Sequence, residues 1–267
     1  MSSPGQAGAH AGLAHVSVVI PALNEEATVA RVVRAALADR PGQVLVIDAD
    51  SRDATARRAA EAGATVVNWR EVLPEVSTVP GKGESLWRGV AAASGEVVVF
   101  LDADLTAVEP GMVRALSSPF ANPQVQMVKA HYVRALHGQE GSGGRVTELT
   151  AKPLLAALFP QVRGIQQPLG GEYALRRSAA LELPFVAGYG VEAGLLIDVA
   201  RRYGQEAIAQ VDLGVRHHRN RPLAELGPMA HLVAATILGR AGVGEQEVPQ
   251  RPPLSTMLST DKRSLAP

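Results

Sequence analysis

Cysteine is absent from all 267 residues, which excludes a disulfide framework and any thiolate-held metal and fits a reducing cytoplasm. Net charge is absent too: 26 Lys+Arg balance 26 Asp+Glu, so no global field draws the chain to nucleic acid or an anionic membrane. Any anion site must be built locally. No apolar run approaches the roughly 20 residues that span a bilayer, and the opening MSSPGQAGAHAGLAH has no apolar core of a leader. The expectation is a cytoplasmic protein with no membrane span and a disordered stretch over residues 1–15. Tandem repeats are missing as well, and one folded unit over 16–243 is the economical description.

What the chain does have is alternation of short β-branched runs with Ala/Arg-rich helical stretches. VSVVIP (16–21), QVLVIDADS (43–51), ATVVNW (64–69) and EVVVFLDAD (96–104) read as strands, the last one central because its apolar run is continuous. Helices follow after Asn24, from Asp53 to Glu61, and over ESLWRGVAAA, which predicts stacked βα units and a mostly parallel sheet flanked by helices, an α/β fold. Beyond 106 the pattern changes. Residues 124–134 alternate as a strand, 137–144 form a linker into a helix starting near Arg145, 191–204 form a helix, and 207–222 a strand ending in a basic loop. A last helix follows, interrupted near its start by Gly227 and Pro228, and its HLVAATILG stretch (231–239) serves either an interface or the core. From 244 to 267, proline, serine and threonine predict a disordered tail.

In an open parallel sheet ligands collect at the carboxyl ends of strands. Three polar pairs fall there: Asn24 and Glu25, Asp48 and Asp50, Asp102 and Asp104. Helix capping is an equal reading for Asn24 and Asp53. Asp102 and Asp104 resist it, because two carboxylates one residue apart point the same way and repel unless they share a cation. Hard oxygen ligands suit Mg²⁺ or Mn²⁺, whose shells are completed by water and substrate phosphate. Lys82 lies between two glycines, yet the G-x-x-x-x-G-K-[ST] phosphate loop is absent.

PALNEE (21–26), VIDADS (46–51) and the D-A-D at 102–104 resemble the nucleotide-sugar glycosyltransferases of the GT-A fold. More narrowly, PGKGESLW (80–87), GGRVTELTAKPLLAAL (143–158), QPLGGEYA (167–174), GYGVEAGLLID (188–198) and AIAQVDLGVRHHRNRPL (207–223) are similar, in order, to the actinobacterial glucosyl-3-phosphoglycerate synthases. That resemblance implies a Rossmann-like nucleotide-sugar half over 16–106 and an acceptor-binding half with the C-terminal helix over 107–243. It implies metal ligation by Asp102, Asp104 and the histidine of an H-R-N triplet, His218; the neighbouring His217 is one residue out of register. Donor contacts fall on Pro21, Leu23, Asn24, Glu25, Ser51, Lys82 and Asp102, with Glu192 on the donor hexose. Acceptor contacts fall on Gly143, Gly144, Arg145, Thr147 and Asn220, where glycines, a helix N-terminus and a guanidinium fork suit a small phosphorylated acid. One departure is PLGGEYA where relatives have PLSGEYA: Gly170 lacks a hydroxyl.

The implied reaction moves glucose from UDP-glucose to the 2-hydroxyl of 3-phosphoglycerate with retention, in a homodimer, with Arg145, Thr147 and Glu192 as the catalytic set. No carboxylate pair stands out as nucleophile and acid in the glycosidase manner, which favours a front-face route. The rivals are a mannosyl-3-phosphoglycerate synthase using GDP-mannose and a non-catalytic nucleotide-sugar sensor. Processive polysaccharide synthases fall away, since a Q-x-x-R-W segment is missing.

Overall fold

The computed structural model describes residues 12–106, 108–136, 139–141, 144–217, 223–244 and 248–261. The first half is three βα steps. Strand β1 (Leu13–Ala22) is followed by helix α1 (Val29–Ala38), β2 (Pro41–Asp48) by α2 (Thr55–Glu61), and β3 (Thr65–Asn68) by a loop and α3 (Lys82–Ala92), before β4 (Val97–Phe100). β1 pairs in parallel with both β2 and β4, and β3 adds to β2 in parallel. Side chains alternate across this sheet, so its continuous apolar runs mean that both faces are covered. Val18, Ile20, Val46 and Val99 face one way and pack with Val29, Val32 and Val33 of α1; Val19, Leu45, Ile47 and Phe100 face the other and pack with Leu86, Trp87 and Val90 of α3. Each such side chain, withdrawn from water, contributes about 1.5–3 kcal/mol.

The second half continues the same sheet with mixed polarity. After α4 (Met112–Ser117) come β5 (Met127–Leu136), β6 (Gln139–Gly141), α5 (Lys152–Leu158), β7 (Tyr173–Arg176), α6 (Arg177–Leu181), β8 (Phe185–Val186), α7 (Val191–Tyr203), β9 (Ile208–His217) and α8 (Leu223–Ala241). β7 inserts antiparallel between β4 and β5, giving the order β3-β2-β1-β4-β7-β5-β6, while β9 runs parallel to β5. The expected mostly parallel α/β sheet is therefore present, with its antiparallel step at β7. None of the helices among the described residues is long and apolar enough to cross a membrane.

Three expectations need correction. The last helix is continuous through Pro228: α8 spans Leu223–Ala241 with the proline inside it, near its start, at the cost of the one backbone hydrogen bond that the missing N–H would have made. Its HLVAATILG stretch closes the core, with Val233 and Ile237 fully buried. The tail expected to be disordered from 244 instead contains β10 (Gln250–Arg251), paired antiparallel with β8, and helix α9 (Leu254–Asp261), whose Leu254 is fully buried. Composition is misleading there, since proline and serine serve as strand and helix boundaries. At the other end, β1 already begins at Leu13, and the rest of the segment expected to be disordered, residues 1–11, lies outside the described residues.

Candidate active site

The carboxyl ends of β1, β2 and β4 open onto one cleft of about 400 Å³. Its walls include Pro21 at the end of β1, Leu23 and Glu25 just after it, Trp69 after β3, Lys82 and Ser85 at the start of α3, Asp102 and Asp104 after β4, and Tyr189 before α7. One crevice thus collects Pro21, Leu23, Glu25, Lys82 and Asp102, all expected at the donor site, together with Asp104. Trp69 and Tyr189 belong to no expected set. Tyr189 is 44% exposed between two glycines and Leu23 is 54% exposed, so both present apolar faces for a flat ligand to cover. An aromatic between glycines is the signal for it available in the sequence.

Lys82 is the electrostatic centre. Its Nζ lies 2.6 Å from Asp102 Oδ1 and 2.6 Å from Glu192 Oε1. Burial alone would push its pKa down, but Asp102 and then Glu192 outweigh burial and hold it well above the ordinary lysine value. The flanking glycines make this placement possible. Gly81 has φ +135°, and a Cβ at Gly81 or Gly83 would run into the carbonyl oxygens of Ala187 or Val186. The loop therefore lies against the backbone that leads to Glu192. Lys82→Met removes the cation that two carboxylates share, one of them nearly buried, at a cost of about 3 kcal/mol. A thermal melt should show that loss.

A second buried lysine supports the same region. Lys129 on β5 is fully buried, donates to the carbonyl of Gly170 at 2.6 Å and sits 4.6 Å from the ring centre of Tyr173. Next to that carbonyl, Gly171 is pressed against Asp102: a Cβ there would overlap the Asp102 carboxylate. Gly170 is different, since an added Cβ meets Gln167 and the Tyr132 hydroxyl at 3.4 Å, ordinary contact. A Cβ therefore fits at position 170, and close approach of the backbone does not demand the glycine. Burial pushes the Lys129 pKa from 10.5 down to about 8. Between those values the unfolded chain binds more protons at this site, so the contribution of Lys129 to stability rises with pH. The stability of the wild type relative to Lys129→Met should therefore increase from pH 8 to pH 10, by up to about 3 kcal/mol across the full interval, as denaturant titrations at each pH will measure.

Other expected residues take different parts. Asn24 has φ +56°, donates its N–H to Ser51 Oγ at 3.0 Å and accepts from the Arg52 N–H at 2.9 Å. It does not cap α1; Asn24 and Ser51 instead stitch the β1 and β2 loops together, with the Glu25 N–H donating to Thr55 Oγ1 at 2.7 Å. Asp53 is not the N-cap of α2, which is Ala54; its carboxylate accepts from the Thr55 N–H at 2.9 Å and from the Glu26 N–H at 3.2 Å, tying the β1 loop to the start of the helix. Asp50 turns to Arg70, whose guanidinium, with help from Asn68, holds the Asp50 pKa down at about 2. It pairs outside the cleft, whereas Asp48 is buried and accepts from the Ser51 N–H.

On the acceptor side, Arg145 is exposed and Thr147 buried, at the entry to a helical segment whose first turns, Thr147–Ala151, are π-helical and continue into α5. Gly144 precedes them, and neither Arg145 nor Thr147 lines the 400 Å³ cleft. Gly143, His218 and Asn220 lie outside the described residues. Among the described residues no cluster of three or more His, Asp or Glu could hold a metal by itself. The donor set that is described, two carboxylates facing a cleft, fits a hard divalent cation that takes its other ligands from elsewhere.

The glycosyl transferase family 2 model matches residues 17–168. Among curated proteins, the glucosyl-3-phosphoglycerate synthase of Mycobacterium tuberculosis is 49% identical over 244 residues, covering 87% of this chain and 75% of that protein. That of Petrotoga mobilis is 41% identical over 236 residues, covering 84% and 73%. Among solved structures, the M. tuberculosis enzyme in complex with Mn²⁺, UDP-glucose and phosphoglyceric acid matches with a TM-score of 0.84 at 46% identity, over 91% of this chain and 90% of that one. A complex of that enzyme with Mn²⁺, UDP and glucosyl-3-phosphoglycerate matches equally, with a TM-score of 0.84 at 46% identity and 91% of each chain.

Proposed function

Because the chain belongs to glycosyl transferase family 2 and, within it, to the glucosyl-3-phosphoglycerate synthases, we propose that it transfers glucose from UDP-glucose to the 2-hydroxyl of 3-phosphoglycerate, with retention, releasing UDP. The observation that carries this reading is the cleft itself, where Lys82 and Asp102 lie 2.6 Å apart beneath apolar walls, with Lys82 also 2.6 Å from the buried Glu192 behind them. Apolar walls suit a base and ribose, and a mixed-charge floor suits a diphosphate and a sugar.

In this reading Pro21, Leu23, Trp69 and Tyr189 enclose the nucleoside, and the stitched Asn24–Ser51 contact keeps the two strand-end loops at a fixed spacing. Asp102 and Asp104, with His218, would hold a divalent cation, Mg²⁺ or Mn²⁺. When bound, that cation neutralises charge on the leaving diphosphate. Lys82 adds a positive charge at the same end of the cleft, and Glu192, held by Lys82, accepts hydrogen bonds from the hexose hydroxyls. Gly143, Gly144, Arg145, Thr147 and Asn220 hold the acceptor, so that its 2-hydroxyl approaches on the face the diphosphate leaves. The proton of that hydroxyl passes to the departing phosphate oxygen, which requires alignment more than a protein base.

A nucleotide sugar and a phosphorylated acid are both cytoplasmic metabolites, which supports a cytoplasmic setting. A homodimer belongs to the same reading. Light scattering tests it. The reaction itself is tested by NMR of the mixture: an α-configured glucosyl-3-phosphoglycerate signal is expected, and free glucose or an inverted product would overturn the reading.

A further inference from the structure

We propose that Arg251 is a positioning residue for the donor cleft, and that residues 249–254 act as a strap that fixes Lys82 and Glu192 from behind. The proposal rests on the donor-site reading above. Its physical basis is a two-sided backbone. The Ala187 N–H donates to Pro249 O at 2.9 Å, and Gln250 and Arg251 pair with Val186 and Phe185. On its other side, this same stretch at 186–188 carries the P-G-K-G loop: the Glu84 N–H donates to Ala187 O at 3.3 Å, and Gly81 and Gly83 lie directly on the carbonyls of Ala187 and Val186. Strap, 186–188 segment and lysine loop therefore form three layers in contact, and the third layer is the floor of the cleft.

Arg251 reaches across all three. Its Nε donates to Glu84 Oε2 at 2.5 Å and its Nη2 to Glu84 Oε1 at 2.8 Å, and Nη2 also reaches the carbonyl of Ser77. Glu84 is fully buried two residues after Lys82, and its other cation is Arg88, also fully buried, at 2.7 Å. Arg88 in turn donates to the carbonyls of Val72, Leu73 and Val76. Both guanidinium groups lie near the Trp87 ring, Arg88 at 5.8 Å and Arg251 at 5.2 Å from its centre, and the indole N–H donates to Pro252 O at 3.0 Å. Leu254 anchors the end of the strap in the core. The first turn of α3, which aims Lys82, is thus held by a charge pair with Arg88 on its own helix and by a bidentate clamp from the far end of the chain.

The distribution of charge makes the proposal separable from simple loss of folding. Glu84 keeps Arg88 when Arg251 is removed, so Arg251→Met leaves a neutral buried pair and no orphaned carboxylate. What is lost is the tie between strap and lysine loop. A displacement of a fraction of an ångström at Lys82 and Glu192 should weaken donor binding selectively.

The test compares wild type, Arg251→Met, Arg251→Lys and Leu254→Ala for the donor KM, the acceptor KM and kcat, with UDP-glucose and 3-phosphoglycerate as substrates, and for the calorimetric affinity for UDP with Mn²⁺. Arg251→Met should raise the donor KM and the UDP Kd about tenfold while leaving the acceptor KM within about twofold. Arg251→Lys should recover only part, because a single ammonium cannot span both Glu84 oxygens and Ser77. Leu254→Ala, which loosens the same strap through an apolar contact, should shift the donor KM in the same direction. Donor parameters equal to wild type in all three variants, with only the melting temperature lowered, would overturn the proposal. If Arg251→Met does not fold, the other two variants decide it. Wild-type protein that binds no UDP would instead refute the donor-site reading itself.

Discussion

Asp102→Ala, assayed with saturating UDP-glucose and 3-phosphoglycerate and with Mg²⁺ or Mn²⁺ at any concentration, should lose at least about a hundredfold in kcat. Outer partners of metal ligands already cost roughly ten- to a hundredfold when removed, so a carboxylate assigned to the ion itself should cost more. The fold should survive. The Asp102 side chain is 30% exposed, and its removal leaves Lys82 still paired with the almost fully buried Glu192 at 2.6 Å. The melting temperature should therefore move little while turnover collapses. Intact turnover in this variant would remove Asp102 from the metal site and with it the explanation for the D-A-D sequence.

Gly171→Ala should be nearly as damaging, although it adds one methyl group and no charge. A Cβ at position 171 would occupy the space of the Asp102 carboxylate, so the aspartate must swing away and break its 2.6 Å contact with Lys82. Misplacing a reacting or metal-binding group by about 1 Å costs on the order of a hundredfold, and that is the fall expected in kcat/KM. Gly170→Ser is the matched control. Its Cβ meets only ordinary contacts near 3.4 Å, so it should stay within a few-fold of wild type. If the two variants behave alike, the close approach at Gly171 is not what holds Asp102.

Much of this arrangement is legible in one sequence. Continuous apolar strands predict a sheet covered on both faces, and Val18 and Val19 bear it out by facing opposite cores. The D-A-D segment can be placed at a strand end because the apolar run stops at Leu101. Other features are hidden because their cause is long-range. The pairing of Lys82 with Glu192, 110 residues away, depends on two glycines resting on the backbone at 186–188, a contact without local periodicity. The strap is illegible for a related reason: β10 is two residues long and is stabilised by Arg251 and Leu254 meeting distant partners, while its own composition favours a loop. Lys129 is concealed because its strand, which alternates in sequence, is buried on both faces from Met127 to Ala130.

The most direct measurement for the central claim is nucleoside diphosphate release from purified protein, comparing UDP-glucose with GDP-mannose and omitting metal and 3-phosphoglycerate in turn. The account predicts UDP release that requires both the divalent cation and the acceptor, with little GDP release. GDP release in its place would contradict the assignment of the donor and move the chain to mannosyl transfer, and nucleotide binding without release from either donor would contradict the assignment of an enzyme.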